Sequence, residues 1–187
     1  MNAVIERDLP RTSVALEWGA VAIGFALLLA RPSLAGRPAG PLALTAVYAS
    51  LAWISLDLGD GVGVGRFRWA VLVVGLAAVV GAALVGGPRP PAPVTAWALP
   101  LGVAAAVAEE SFFRGLLFRT LSRAGAAVAV GATALAFAAI HVPAYGYPAF
   151  WVDLGAGAVL SWQRWATGGW AVPAATHVAA NLLAVMR

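Results

Sequence analysis

The chain has 187 residues, of which 61% are hydrophobic and only 11% are charged, and its mean hydropathy is +0.86. This composition excludes an ordinary soluble domain and predicts an integral membrane protein. The net charge of +4 depends on 12 basic residues, all arginines scattered along the chain, so no nucleic-acid-binding patch is predicted. The absence of cysteine excludes disulfides, thiolate nucleophiles and cysteine-ligated metals.

Apolar segments recur along the whole chain, close to the roughly 20 residues that a helix needs to cross a bilayer. We therefore predict an all-α fold, a polytopic transmembrane helix bundle of about seven spans, within a range of roughly six to eight. Clusters of glycine and proline separate the segments. The predicted spans are 13–30, 41–54, 69–85, 94–121, 124–141, 147–162 and 170–186.

The first span has a competing interpretation. Ser33, Leu34 and Ala35 resemble a signal-peptidase site, so the segment before them can also be read as a cleaved signal peptide. We retain it as a span.

The arginines indicate an orientation for the seven spans. With the N-terminus in the cytoplasm, eight arginines flank the cytoplasmic face and four flank the outer face, which agrees with the positive-inside rule. The cytoplasmic set is Arg7, Arg11, Arg66, Arg68, Arg114, Arg119, Arg123 and Arg164, and the outer set is Arg31, Arg37, Arg89 and Arg187.

Two local features bear on the later spans. Val142 and Pro143, which follow His141, are expected to end regular helix nearby. Small residues are expected to let neighbouring helices approach closely. The glycines in question are Gly125, Gly131, Gly155 and Gly157.

The fourth span contains two adjacent glutamates, Glu109 and Glu110, and ionisable groups at membrane depth usually mark function. Arg114 follows Glu110 at i, i+4 spacing, so Glu110 is its predicted structural partner. Glu109 is rotated by about 100° from that pair and is predicted to be unpaired. An unpaired carboxylate in apolar surroundings can exchange a proton near neutral pH, so Glu109 is the candidate general base.

The chain has two histidines, and both lie in or at the end of an apolar span, His141 in the fifth and His177 in the seventh. Asn181 follows His177 by four residues, so these two side chains are predicted to face one cavity. His141 is a candidate to hold a water molecule, and His177 and Asn181 are candidates to donate hydrogen bonds to the oxyanion of an attacked carbonyl. Together with the glutamates they predict one shared functional site.

These residues resemble the motifs of the CPBP family, which contains the type II CAAX prenyl proteases and bacteriocin-processing or Abi-type intramembrane proteases. EESFFR at 109–114 resembles the motif EExxxR, FAAIH at 137–141 resembles FxxxH, and HVAAN at 177–181 resembles HxxxN. They occur in the family's order. We predict a CPBP-like catalytic helix core at 94–187 and variable N-terminal transmembrane helices at 1–93, within one integral membrane domain.

The resemblance implies an intramembrane endopeptidase, a hydrolase of peptide bonds. The first glutamate and first histidine would activate a water molecule, the second histidine and the asparagine would stabilise the oxyanion, and the remaining two motif residues would support the site. The implied catalytic residues are Glu109, His141, His177 and Asn181, and the implied supporting residues are Glu110 and Arg114.

No cofactor is favoured, because a glutamate–histidine scheme requires no metal and the chain has no HExxH helix. Members of the family are commonly labelled metalloproteases, so a zinc ion bound by His141, His177 and Glu109 is the alternative. Two further alternatives are a proton-coupled transporter and a non-enzymatic membrane scaffold or immunity protein.

The expected partners are the lipid bilayer and a peptide or membrane-protein substrate. No nucleic acid is expected, and no oligomeric state is predicted. An arginine-only chain rich in alanine and glycine indicates a bacterial source, so we expect a multi-pass protein of the bacterial cytoplasmic (inner) membrane.

Overall fold

The computed structural model describes residues 14–58, 68–85 and 95–186, and in these ranges every regular element is a helix. Seven helices occupy the described ranges, which confirms the predicted all-α bundle of about seven spans. They are α1 (Val14–Ala35), α2 (Gly40–Leu58), α3 (Trp69–Val85), α4 (Ala98–Glu110, continued by Ser111–Leu117 and Phe118–Ser122), α5 (Ala126–Tyr145), α6 (Tyr147–Thr167) and α7 (Ala171–Val185).

The helices have the lengths and surfaces of a membrane protein. By length and composition, α1, α2 and α5 are long and apolar enough to cross a membrane, and α3 and α7 are apolar but shorter. Large apolar side chains cover the outside of the bundle, for example Leu42, Trp53 and Leu84, which are 68%, 75% and 76% exposed. Such exposure is costly in water and favourable in lipid.

Helix α4 changes its winding in the middle. Residues Ser111–Leu117 form a π-helix directly after Glu110, between two α-helical segments. Stretches of π-helix are rare and frequently lie at functional sites. Here all seven residues of the π-helix are buried.

Two helix ends differ from the prediction. Helix α1 continues to Ala35, so Arg31 lies within a helix and not in a loop. Helix α5 continues through Pro143 to Tyr145 and ends at Gly146, where φ is 79°. The helix therefore ends two residues beyond Pro143, close to the expected position.

The predicted arginine distribution needs a correction as well. Arg114 is completely buried and Arg164 is 8% exposed, and Arg164 Nε donates to the carbonyl of Arg114 at 2.6 Å. These two arginines stabilise the interior and do not flank the bilayer, so they no longer support the predicted orientation. The arginines outside the described residues are Arg7, Arg11, Arg66, Arg89 and Arg187.

An aromatic cluster joins α1 and α4. The Phe25 ring of α1 meets the Phe112 ring edge-on at a centroid distance of 5.3 Å, and Phe112 meets Phe113 at 5.0 Å. Gly24 lies directly against Phe112, and a Cβ atom there would overlap the ring. This close packing docks α1 on the π-helix and brings the end of α1 towards the glutamates.

Helices α5 and α6 pack closely at one of the four predicted glycines. A Cβ atom on Gly157 would lie 3.0 Å from the Ala134 carbonyl oxygen and 3.1 Å from its Cα, so only glycine fits without a shift. The described residues leave open space around Gly131 and Gly155, and Gly125 instead begins α5 with a φ of 107°. The prediction of close approach is thus right for Gly157 and wrong for the other three.

A buried glutamine links three helices on the other side of the bundle. Gln163 of α6 donates from Nε2 to the Val71 carbonyl of α3 at 3.0 Å and to Thr176 Oγ1 of α7 at 2.9 Å. Its side chain is completely buried. The hydrogen bonds fix α7, which carries His177, relative to α3 and α6.

Candidate active site

A cavity of about 270 Å³ lies between α1, α2, α4, α5 and α7. It is lined by polar and charged side chains from all five helices, together with apolar residues. The polar lining consists of Arg31, Tyr48, Glu109, His141, Tyr145, His177 and Asn181. The structure therefore brings the four residues that the sequence suggested for catalysis to one cavity, although they come from three helices.

Glu109 lines this cavity and is 2% exposed. Its Oε1 accepts a hydrogen bond from Arg31 Nη1, and its Oε2 faces His141 Nε2 at 3.7 Å. The prediction that Glu109 is unpaired is therefore wrong. Helical spacing separates Glu109 from Arg114, as predicted. Glu109 pairs instead with Arg31, a cation on α1.

His141 is held by its own helix. Its Nδ1 lies 2.7 Å from the carbonyl oxygen of Phe137, one turn earlier, and a carbonyl can only accept, so Nδ1 carries the hydrogen. Its ring lies 4.6 Å from the Phe137 ring and stacks on Tyr145 at 5.8 Å. The Phe137 contact thus orients His141 so that Nε2 points at Glu109.

Glu110 and Arg114 form a completely buried ion pair with an N–O distance of 2.9 Å, which confirms the contact predicted from i, i+4 spacing. Glu110 Oε1 also accepts from His177 Nδ1 at 2.8 Å, a contact that the sequence did not suggest. Arg114 continues the chain of contacts by donating from Nη2 to the Gly157 carbonyl at 3.0 Å. Its guanidinium also lies over the Phe137 ring, 4.6 Å from the centroid. Glu110 and Arg114 thereby connect α7 to α4, α5 and α6.

His177 and Asn181 lie on the cavity side of α7, as their spacing predicted. Asn181 Nδ2 donates to the Gly102 carbonyl of α4 at 2.9 Å. An amide nitrogen carries two hydrogens, so Asn181 retains one for a ligand in the cavity.

The positions of the acids and histidines bear on the zinc alternative. Within residues 14–58, 68–85 and 95–186, no three His, Asp or Glu side chains come together as metal ligands. Glu109 is instead bound by Arg31, a cation that occupies one of its oxygens. A catalytic zinc site needs three protein ligands around one open position.

Arg31, Tyr48 and Tyr145 are the polar cavity residues that sequence reasoning missed. The predicted orientation puts Arg31 at the outer face, and neither tyrosine is among the predicted site residues. A signal for Arg31 was present, because an arginine followed by proline near the end of an apolar helix is a cation close to membrane depth.

Residues 91–183 match the family model described as type II CAAX prenyl endopeptidase Rce1-like. The matched half of the chain belongs to this family. All the motif residues noted in the sequence fall inside the match, whereas Arg31 and Tyr48 precede it. Membership in an endopeptidase family indicates a hydrolase. Comparison of the chain with curated proteins and with solved structures gave no match.

Proposed function

We propose that the protein is a CAAX-protease-like intramembrane endopeptidase, in which Glu109 and His141 activate the water molecule that attacks a peptide bond. The match of residues 91–183 to an endopeptidase family supports the reaction class. The single observation that supports the mechanism is the position of the Glu109 carboxylate opposite the His141 ring.

Glu109 Oε2 and His141 Nε2 are 3.7 Å apart, which is too long for a direct hydrogen bond. Because Nδ1 of His141 donates to the Phe137 carbonyl, Nε2 of the neutral ring is an acceptor. An ionised carboxylate is an acceptor as well. We infer that a water molecule in the cavity donates one hydrogen to each of these two acceptors.

In the proposed reaction the water oxygen bonds to the carbonyl carbon of the substrate while Glu109 Oε2 takes one of its protons. The carbonyl electron pair moves onto oxygen, and the oxyanion receives hydrogen bonds from His177 and Asn181. Asn181 donates its second amide hydrogen, and His177 donates from Nε2 in its doubly protonated form, whose charge Glu110 balances at 2.8 Å. When the carbon–nitrogen bond breaks, the proton held by Glu109 passes to the departing nitrogen.

The substrate class follows from the location of the cavity among apolar helices. A peptide or a membrane protein with its scissile bond at the cavity is the substrate that we infer, and the lipid bilayer is the surrounding medium. We place the protein in the bacterial cytoplasmic membrane on the basis of its composition.

Purified protein in liposomes, incubated with a mixed fluorogenic peptide library, tests the proposal. We expect cleavage by the wild type and a loss of about 10²–10⁴-fold in kcat for Glu109→Gln, which removes the proton acceptor but keeps the shape. Glu17→Gln is the matched control, because Glu17 is also a 2% exposed glutamate of the bundle but is bound by Arg123 at 2.7 Å, away from the cavity. Equal turnover by Glu109→Gln and the wild type would refute the assigned role of Glu109.

A further inference from the structure

Arg31 reaches the cavity from the part of the chain that precedes the family match. Its Nη1 donates to Glu109 Oε1, although 78 residues separate the two in sequence. The Arg31 side chain is 13% exposed and that of Glu109 is 3% exposed. Breaking an ion pair that is buried to this extent costs far more free energy than breaking a surface ion pair, because the remaining charge is left without a partner in the interior.

The neighbouring proline leaves free a backbone carbonyl that holds Arg31 in this position. Pro32 has no backbone N–H, so the Leu28 carbonyl, four residues earlier, lacks its ordinary helical donor. Arg31 Nε donates to that same Leu28 carbonyl at 3.1 Å. The side chain is thereby bent along α1, with Nη1 directed across to α4.

Tyr48 of α2 lines the same cavity as Arg31 and is 9% exposed. The guanidinium itself is held by the Leu28 carbonyl of its own helix and by Glu109 of α4. Its planar geometry, with fixed N–H directions, makes such an arrangement rigid.

We propose that Arg31 is a positioning residue of the peptidase site, which holds Glu109 Oε1 so that Oε2 stays directed at the water between Glu109 and His141. The terminal torsion of a glutamate is broad, so an unbound carboxylate would rotate freely at this position. The inference rests on the proposed function. Arg31 acts through Glu109 and does not itself contact the reacting atoms.

The positive charge of Arg31 has a second effect on Glu109. A carboxylate buried in apolar surroundings is costly to ionise without a cation, and Arg31 is bound directly to it. The other titratable and charged side chains around Glu109 are Tyr48 of α2, Glu110 and Arg114 of α4, His141 and Tyr145 of α5, Asp153 of α6 and His177 of α7. Loss of Arg31 should therefore change the pH dependence of turnover.

The test compares steady-state cleavage by the wild type, Arg31→Gln and Arg31→Lys across pH in liposomes. We expect kcat of Arg31→Gln to fall about 100-fold with KM unchanged, since misplacing a catalytic group by about 1 Å has an effect of that size. Its activity should recover in part as pH rises, because a higher pH ionises a carboxylate that has lost its cation. Arg31→Lys retains the charge but not the planar contacts, so we expect its kcat to lie between those of the other two enzymes.

Arg37→Gln is the matched control, because Arg37 is an exposed arginine six residues further along the chain and does not line the cavity. Rates are compared per folded molecule after size-exclusion chromatography.

Wild-type kinetics and pH profiles in both Arg31 variants would overturn the inference and leave the proposed function standing. A raised KM with unchanged kcat would also overturn it, because Arg31 would then bind substrate. No cleavage by either the wild type or Arg37→Gln would refute the proposed function itself, and the inference with it.

Discussion

Replacement of Arg114 by methionine should strongly destabilise the bundle. The change removes the 2.9 Å contact to Glu110, the 3.0 Å hydrogen bond to the Gly157 carbonyl and the cation held over Phe137. Methionine fills much of the same space, so the main loss is the positive charge that balances the completely buried Glu110. Leaving one member of a buried ion pair without its partner costs about 3–5 kcal/mol, and we expect Arg114→Met to lower the free energy of unfolding by that amount.

The double variant Arg114→Met with Glu110→Gln separates this cause from lost packing. It removes both charges and leaves a glutamine oxygen to accept from His177, so we expect it to be more stable than Arg114→Met by about 2 kcal/mol. Unfolding free energies are measured in mixed micelles by titration with sodium dodecyl sulfate. Arg68→Met, at an exposed arginine, is the control and should change stability by no more than about 0.5 kcal/mol. Additive losses in the double variant would refute the reasoning, since the charge of Glu110 would then not be the cause.

Three further outcomes are expected. Gly157→Ala should lower unfolding free energy by about 1–3 kcal/mol in the same titration, because its Cβ would lie 3.0 Å from the Ala134 backbone, whereas Gly155→Ala, with open space around it, should be neutral or slightly stabilising. Gln163→Met should lower unfolding free energy by about 1–3 kcal/mol, since it removes two buried hydrogen bonds, one of them to Thr176, and no loss would contradict this account. Peptide cleavage should survive a strong chelator, because no three His, Asp or Glu side chains converge within the part of the chain that the structure describes; activity restored only by added zinc would contradict the metal-free scheme.

Much of the fold and part of the site could be predicted from local sequence. Composition and the recurrence of apolar segments predicted the helices, and helical spacing predicted the Glu110–Arg114 pair at 2.9 Å. It also predicted that His177 and Asn181 face one cavity. These predictions succeed because the helix period fixes which side chains share a face, whatever the rest of the chain does.

The environment of Glu109 depends on the tertiary structure. Spacing along α4 shows that Arg114 does not pair with Glu109, but it contains no information on a residue 78 positions away. The Arg31 contact exists because α1 docks through Gly24 and Phe25 on the π-helix of α4. Docking of that kind is decided by side-chain packing, which hydrophobic periodicity does not encode.

The sequence by itself determined the class of the protein, its helices and the side chains from which the proposed site is built. Only the tertiary structure decided that Glu109 pairs with Arg31, that Glu110 also binds His177, and that Glu109 lies 3.7 Å from His141. The physical reason is the range of the forces involved. Backbone geometry acts over a few residues and can be read from sequence, whereas buried ion pairs and close packing join helices that are distant in sequence.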